Sequence, residues 1–215
     1  MLTILNSTPS IIDQYLHELR DVEIQKDRPR FETNIERLGM LAGYEVSKRL
    51  TYKTIDTPTV LGVAKTPVVA DEIVIATILR AGIPVQRGVH KVLDGSALAF
   101  IGAARQEEDG EGIQIKLDYV AAPRLEGKVL IIADTMLATG HSLVDSYCAL
   151  VAERGTPKQT IIVAVISCQP GIEYLQSELP DAEIIVCAVD PELNEHYYIV
   201  PGLGDAGDLL YGPKD

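Results

Sequence analysis

The sequence is poor in cysteine. The three it has, Cys148, Cys168 and Cys187, are odd in number, far apart and never in a C-x-x-C pair. That pattern argues against a disulfide framework. Each lies in an apolar segment, so the expectation is buried, reduced thiols in a reducing, cytoplasmic compartment. The four histidines, His17, His90, His141 and His196, show no close ligand spacing, which argues against a zinc site built by the protein. No run of 18 or more apolar residues occurs, so no membrane span is expected. The first twenty residues lack a basic stretch ahead of an apolar core and carry Asp13, His17, Glu18 and Arg20 at intervals, unlike a secretory signal. Positive charge is scarce as well. Nineteen Lys and Arg against 31 Asp and Glu give a net charge of −12, which disfavours nucleic acid as a partner. An anionic small molecule stays open, because a few arginines in one pocket outweigh surface charge lying beyond a screening length of about 8–10 Å.

What is present fits one α/β domain over residues 1–215. Apolar residues make up 47% of the chain, enough for a sizeable core. Residues 10–20 place Ile11, Ile12, Tyr15, Leu16 and Leu19 on one side of a short helix. Pro29 suits the first turn of a second helix running to about Leu50. Residues 51–69, broken by Pro58 and Pro67, fit a hairpin or two edge strands. Between about 70 and 190, apolar runs at 72–79, 96–104, 129–134, 160–167 and 183–189 alternate with helical spacing at 83–92, 143–154 and 171–179. Such alternation predicts a parallel or mostly parallel sheet with helices on both faces. Residues 106–112 (QEEDGEG) read as a mobile loop tip, followed by an alternating strand at 113–119. The pair is either an arm that closes over a site or a solvated hairpin.

Residues 129–142 organise the chain. Val129 to Ala133 is an apolar run that suits a strand buried on both faces, and Asp134 sits where that strand should end. Leu137-Ala-Thr-Gly-His-Ser142 is small or hydroxyl-bearing, and Leu143, Tyr147, Leu150 and Val151 then recur at helical spacing. Strand, acidic tip, phosphate-sized loop and helix N-terminus together make an anion seat. On composition alone the stretch is equally an ordinary capped strand–helix turn. It lacks the Gly-Lys-Ser/Thr of a Walker loop and the glycine spacing of a dinucleotide fingerprint.

Other strand ends sharpen the reading. Arg80, in the turn Arg80-Ala-Gly82, and Arg105 are each expected beyond the C-terminal end of a strand, where open α/β sheets bind ligands. A late segment, His196-Tyr-Tyr-Ile-Val-Pro-Gly-Leu-Gly-Asp-Ala-Gly-Asp208, packs glycines and aspartates into a short run. It is either a surface turn or a loop that presents its backbone to a ligand.

Asp134-Thr-Met-Leu-Ala-Thr-Gly-His-Ser142 resembles the phosphoribosyl-diphosphate (PRPP) loop of type I phosphoribosyltransferases, and in particular that of uracil phosphoribosyltransferases. Ile78-Leu-Arg-Ala-Gly82, Arg105 and the segment 198–208 are similar to further motifs of that family, so the resemblance runs along nearly the whole chain. Three positions depart from it: Thr135 stands where the family usually has proline, His141 where it has glycine, and Leu209 where it has arginine. The resemblance implies conversion of uracil and PRPP to UMP and diphosphate in pyrimidine salvage, with Mg2+ carried on PRPP and no metal ligands of the protein's own. It implies that Thr139, Gly140, His141 and Ser142 seat the 5′-phosphate, and that Thr135, Met136, Leu137 and Ala138 belong to the same PRPP loop. Asp134 would accept hydrogen bonds from the ribose hydroxyls, Arg80 and Arg105 would hold the diphosphate, and Asp205 would lie near PRPP or its metal. Ile199, Gly204, Asp205 and Ala206 would meet uracil. The family also implies a homodimer or homotetramer and a possible GTP effector. Two alternatives stay open: a phosphoribosyltransferase for another base, and a regulatory protein that binds PRPP or a nucleotide with little turnover.

Overall fold

The structure, a computed structural model, describes residues 1–107 and 113–213, and for 103–107 and 113–118 the backbone only. The loop tip expected at 106–112 thus lies largely outside the described residues.

The chain opens with a strand, β1 (Leu2–Ile4), and two helices, α1 (Ile11–Arg20) and α2 (Arg28–Ser47). Local chemistry sets both helix starts. Ser10 and Asp13 form a reciprocal capping box on α1, with the Ser10 N–H donating to Asp13 Oδ2 at 2.8 Å. Asp27 caps α2 by accepting from the Arg30 N–H, and Pro29 sits in its first turn. Strands β2 (Tyr52–Thr59) and β3 (Gly62–Val69) form a separate antiparallel hairpin. Then come β4 (Ile73–Leu79), α3 (Ile83–Val92), β5 (Ala97–Glu107), β6 (Ile113–Ala121), β7 (Val129–Leu137) and α4 (His141–Arg154). They are followed by β8 (Gln159–Cys168), α5 (Gln169–Glu178), β9 (Glu183–Asp190), the short pair β10 (Glu192–Leu193) and β11 (Ile199–Val200), and α6 (Ala206–Tyr211).

Seven strands make the main sheet, in the order β1-β9-β8-β7-β4-β5-β6. Every pairing in it is parallel except β5 with β6. The expected mostly parallel sheet flanked by helices is what forms. Alternate residues of each strand enter opposite cores. Ile73, Ile75, Val129 and Ile131 pack with α1, α2 and α3, whereas Val74, Ala76, Leu130 and Ile132 pack with α4 and α5. Successive elements leave β4 toward β5 and leave β7 toward β8, so the strand order reverses between β4 and β7. Open α/β sheets bind ligands at such a point.

Four expectations need correction. Cys148 is exposed on α4, whereas Cys168 and Cys187 are buried as expected. β1 was not anticipated: three residues are too short for a periodic signal, and the strand is held by its ladder to Ile184, Ile185 and Val186. β7 does not end at Asp134. Met136 and Leu137 continue the ladder opposite Ile166 and Ser167, so the loop starts three residues later. β5 likewise runs past Arg105 to Glu107, with Arg105 opposite Ile115, so this arginine lies within an antiparallel ribbon rather than at a strand end.

Candidate active site

A cavity of about 610 Å³ opens at the strand-order reversal. Three stretches wall it. The first is the turn after β4, where Arg80 and Ala81 line the space. The Leu79–Arg80 peptide there is cis. Gly82 completes that turn against β7, where a Cβ would lie 2.2 Å from Thr77 Oγ1 and 2.7 Å from the Ala133 carbonyl oxygen. Only the absence of a side chain lets the turn come this close.

The second stretch is the end of β7 and its loop. Asp134, Met136, Leu137, Ala138, Thr139, Gly140 and Ser142 all line the cavity. Asp134 is buried, and its Oδ1 accepts the Thr135 N–H at 2.7 Å. Gly140 has φ +85°, a conformation that favours glycine, and it sits where a Cβ would crowd the Gly171 carbonyl and the Tyr174 ring at 3.0 Å each. The loop is also held from β8. Burial pushes the Cys168 thiol up, so it stays protonated, and its Sγ donates to the Ala138 carbonyl at 2.9 Å.

The third stretch, 196–207, supplies Ile199, Gly204, Asp205 and Ala206 together with His196, Tyr197 and Tyr198. This segment is more ordered than a simple turn. Asp205 caps α6 by accepting the Asp208 N–H at 3.0 Å. Asn194 Oδ1 accepts the N–H groups of His196 and Tyr198, holding Tyr197 at φ +60°. Tyr197 and Tyr198 form an aromatic wall that motif reading did not assign. The signal was Asn194, a residue that bonds to its own following backbone and so starts turns.

Most residues expected at the site are therefore together, with three exceptions. Thr135 is fully buried beneath the cavity floor, and its hydroxyl donates to the Ala81 carbonyl at 2.6 Å. His141 is exposed at the first turn of α4 and turns its ring onto Tyr174, with centroids 4.1 Å apart. The side chain of Arg105 lies outside the described residues. Among the described lining residues Arg80 supplies the guanidinium, and Asp134 and Asp205 supply the carboxylates. Arg80 reaches the third stretch, with Nη2 3.4 Å from Asp208 Oδ1 and its guanidinium 5.8 Å from the Tyr211 ring centre. In chemical terms the cavity offers donors for an anion, a buried acceptor for hydroxyls, and exposed backbone beside aromatic rings for a planar ring.

A family model described as "Uracil phosphoribosyltransferase" matches residues 7–213. The chain is 44% identical to a uracil phosphoribosyltransferase of Porphyromonas gingivalis over 211 residues, covering 98% of this chain and 97% of that one. It is 35% identical to a uracil phosphoribosyltransferase of Pyrococcus furiosus over 204 residues, covering 94% and 86%. A solved structure of an Aquifex aeolicus protein superposes with a TM-score of 0.87 at 29% identity, covering 99% of this chain and 98% of that one.

Proposed function

The chain belongs to the uracil phosphoribosyltransferase family, and from that premise we propose how its residues divide the work of converting uracil and PRPP to UMP and diphosphate. The carrying observation is the convergence of the β4 turn, the loop after β7 and the 199–206 loop on one cavity.

In this reading the N–H groups and hydroxyls of Thr139, Gly140 and Ser142, with His141 at the rim, seat the 5′-phosphate at the start of α4. Met136 and Leu137, at the end of β7, and Ala138 supply the backbone leading there, and Thr135 supports it from below. Asp134 accepts the ribose hydroxyls. Arg80, joined by Arg105 from β5, holds the diphosphate and stabilises the charge that grows on it as the C1′–O bond breaks. Ile199, Gly204, Asp205 and Ala206 hold uracil so that its N1 faces C1′. Positioning replaces any covalent nucleophile.

Mg2+ is part of this reading as a companion of PRPP. The lining suits a metal carried on PRPP without ligands of the protein's own, because Mg2+ keeps several waters and the carboxylates of Asp134 and Asp205 line the cavity, where they could accept from such waters. When bound it neutralises charge on the diphosphate. Assembly as a homodimer or homotetramer is supported by the apolar tip of the β2–β3 hairpin, where Val60 and Leu61 are 100% and 97% exposed. Activation by GTP rests on the family resemblance, and a cytoplasmic setting on that resemblance and the three free cysteines. Sedimentation tests the assembly, and the rate of UMP formation with and without GTP tests the activation.

The test of function is UMP formation from PRPP and uracil, run beside other bases, with a chelator and with Mg2+ restored. Uracil consumption should depend on PRPP, stop with the chelator and return with Mg2+. Tight PRPP binding with no UMP under any divalent metal would instead support the regulatory alternative.

A further inference from the structure

Outside the cavity lining, one ion pair is hydrogen-bonded to the backbone of the 199–206 loop. Arg20 is the last residue of α1, and Asp190 is the last residue of β9. Their contact is a two-pronged one, with Arg20 Nη1 to Asp190 Oδ2 at 2.8 Å and Nη2 to Oδ1 at 2.7 Å. The Asp190 side chain is only 7% exposed and that of Arg20 25%. A fork-to-carboxylate pair of this kind fixes orientation as well as charge.

Both partners also grip one residue, Gly202. Its N–H donates to Asp190 Oδ2 at 2.9 Å, and its carbonyl accepts from Arg20 Nη1 at 3.1 Å. Gly202 is buried, has φ +57°, and leaves no room for a side chain, since a Cβ would lie 2.0 Å from the Ile199 carbonyl oxygen. The next residue is held from the same side. With its amide nitrogen oriented toward the carbonyls, Gln25 donates to Leu203 at 3.0 Å and to Leu19 at 3.3 Å. Ile199 and Gly204, which line the cavity, lie within three residues of Gly202.

We propose that the Arg20–Asp190 pair is a positioning clamp for base recognition: it sets the height and tilt of the loop backbone that meets uracil, while making no contact with PRPP. The inference rests on the assignment of the 199–206 loop to uracil. Its logic is geometric. Backbone groups that select a base cannot be tuned by their own side chains, so their placement must come from what holds the loop. A bidentate pair with both polar groups of Gly202 in its grip supplies that placement, and a displacement of about 1 Å at a reacting centre costs on the order of a hundredfold.

The experiment compares Arg20→Met, Arg20→Lys and Asp190→Asn with the unaltered full chain and with Gly204→Ala. Steady-state kinetics are measured separately for uracil and PRPP, and hydrogen exchange over residues 199–204. Arg20→Met keeps the aliphatic stem and loses the fork. It should raise the uracil KM roughly 10- to 100-fold while the PRPP KM moves less than about threefold. Exchange in the loop should speed up, and discrimination against cytosine should fall. Arg20→Lys should recover part of the uracil KM, and it decides the matter if Arg20→Met does not fold. Asp190→Asn keeps an acceptor for the Gly202 N–H and should fall between the two. Parallel changes in both substrates, or no change in a folded Arg20→Lys protein, overturn the clamp. If Gly204→Ala perturbs uracil and the Arg20 variants do not, the clamp fails and the loop assignment stands. If Gly204→Ala leaves uracil untouched, the loop assignment fails and takes the clamp with it.

Discussion

Thr135 donates its hydroxyl to the carbonyl of Ala81 at 2.6 Å, tying the strand that carries Asp134 to the turn that carries Arg80. The same residue donates its N–H to Asp134 Oδ1 at 2.7 Å. A proline could make neither bond, because it lacks both the N–H and the hydroxyl. Thr135→Val keeps shape and β-branching but leaves the Ala81 carbonyl without this partner. Stability should drop by about 1–3 kcal/mol, and kcat/KM for PRPP should fall as the Arg80 turn loosens. Thermal unfolding and PRPP kinetics read the two effects. A variant as stable and as active as the parent would mean that the bond does not hold the turn.

Asp134→Asn removes one charge from a buried position on the cavity wall. The amide is nearly the same shape, so the fold should survive. A ribose hydroxyl that had donated to a carboxylate would then donate to a neutral oxygen, losing about 1.5–3 kcal/mol of transition-state binding. That corresponds to roughly 10- to 150-fold in kcat/KM. Circular dichroism controls for folding. Normal turnover in a folded Asp134→Asn protein would move the ribose site elsewhere.

The inner strands of the sheet were legible because they are continuous apolar runs between turn residues, a pattern that suits two-sided burial. Asp134, Arg80 and the loop at 138–142 were legible because polar or small residues interrupt those runs at the same relative place. Where β7 ends was not legible. Thr135 and Met136 are as compatible with a strand as with a loop, and the ladder to β8 decides. The place of His141 was likewise hidden: its ring partner, Tyr174, comes from α5, more than thirty residues on. The Arg20–Asp190 pair spans 170 residues, and neither side chain carries a local signature. Long-range pairs of this kind follow from topology, which local periodicity does not encode.

Glu18 gives the fold a defined acid sensitivity. Its buried carboxylate accepts from Arg30 Nε at 2.8 Å and Nη2 at 2.7 Å, from Asn34 at 2.6 Å and from Gln14 at 3.0 Å. Hydrogen bonds from Arg30 first, then Gln14 and Asn34, hold it well below the usual carboxylate range. The folded state therefore binds this proton less readily than the unfolded chain. Its contribution is fully present above the unfolded pKa of about 4.3 and is lost as pH falls from there toward the folded value. Glu18→Gln should be less stable than the parent at pH 7 by about 1.5–3 kcal/mol. Its urea midpoint should also decline less steeply below about pH 4.5. Parallel declines in the two proteins would assign acid unfolding to other carboxylates.

Base choice should rest on main-chain hydrogen bonds, with uracil strongly preferred over cytosine. Gly204 brings no side chain to the cavity and Ala206 only a methyl, so the selecting atoms there are N–H and C=O groups. Uracil offers an acceptor at O4 and a donor at N3, and cytosine reverses both. A fixed N–H facing O4 and a fixed C=O facing N3 would meet like partners in cytosine. Two buried polar groups then go unpaired at roughly 1–3 kcal/mol each, a discrimination of about 10²–10⁴-fold. Gly204 itself is constrained by backbone rather than by space. Its φ is +91°, yet a Cβ would meet only Leu209 Cδ1, at 3.9 Å. Gly204→Ala should therefore strain the loop by about 1–2 kcal/mol. Uracil use should weaken without cytosine use appearing, because the donor–acceptor order is unchanged. 5-Fluorouracil keeps the same hydrogen-bonding edge and should be accepted where the pocket leaves room at C5, whereas purines should fail on size. The measurement is kcat/KM for uracil, 5-fluorouracil and cytosine in the parent and in Gly204→Ala. Cytosine turned over within about tenfold of uracil, less than the two mismatched hydrogen bonds together should cost, would mean that the backbone does not select the base.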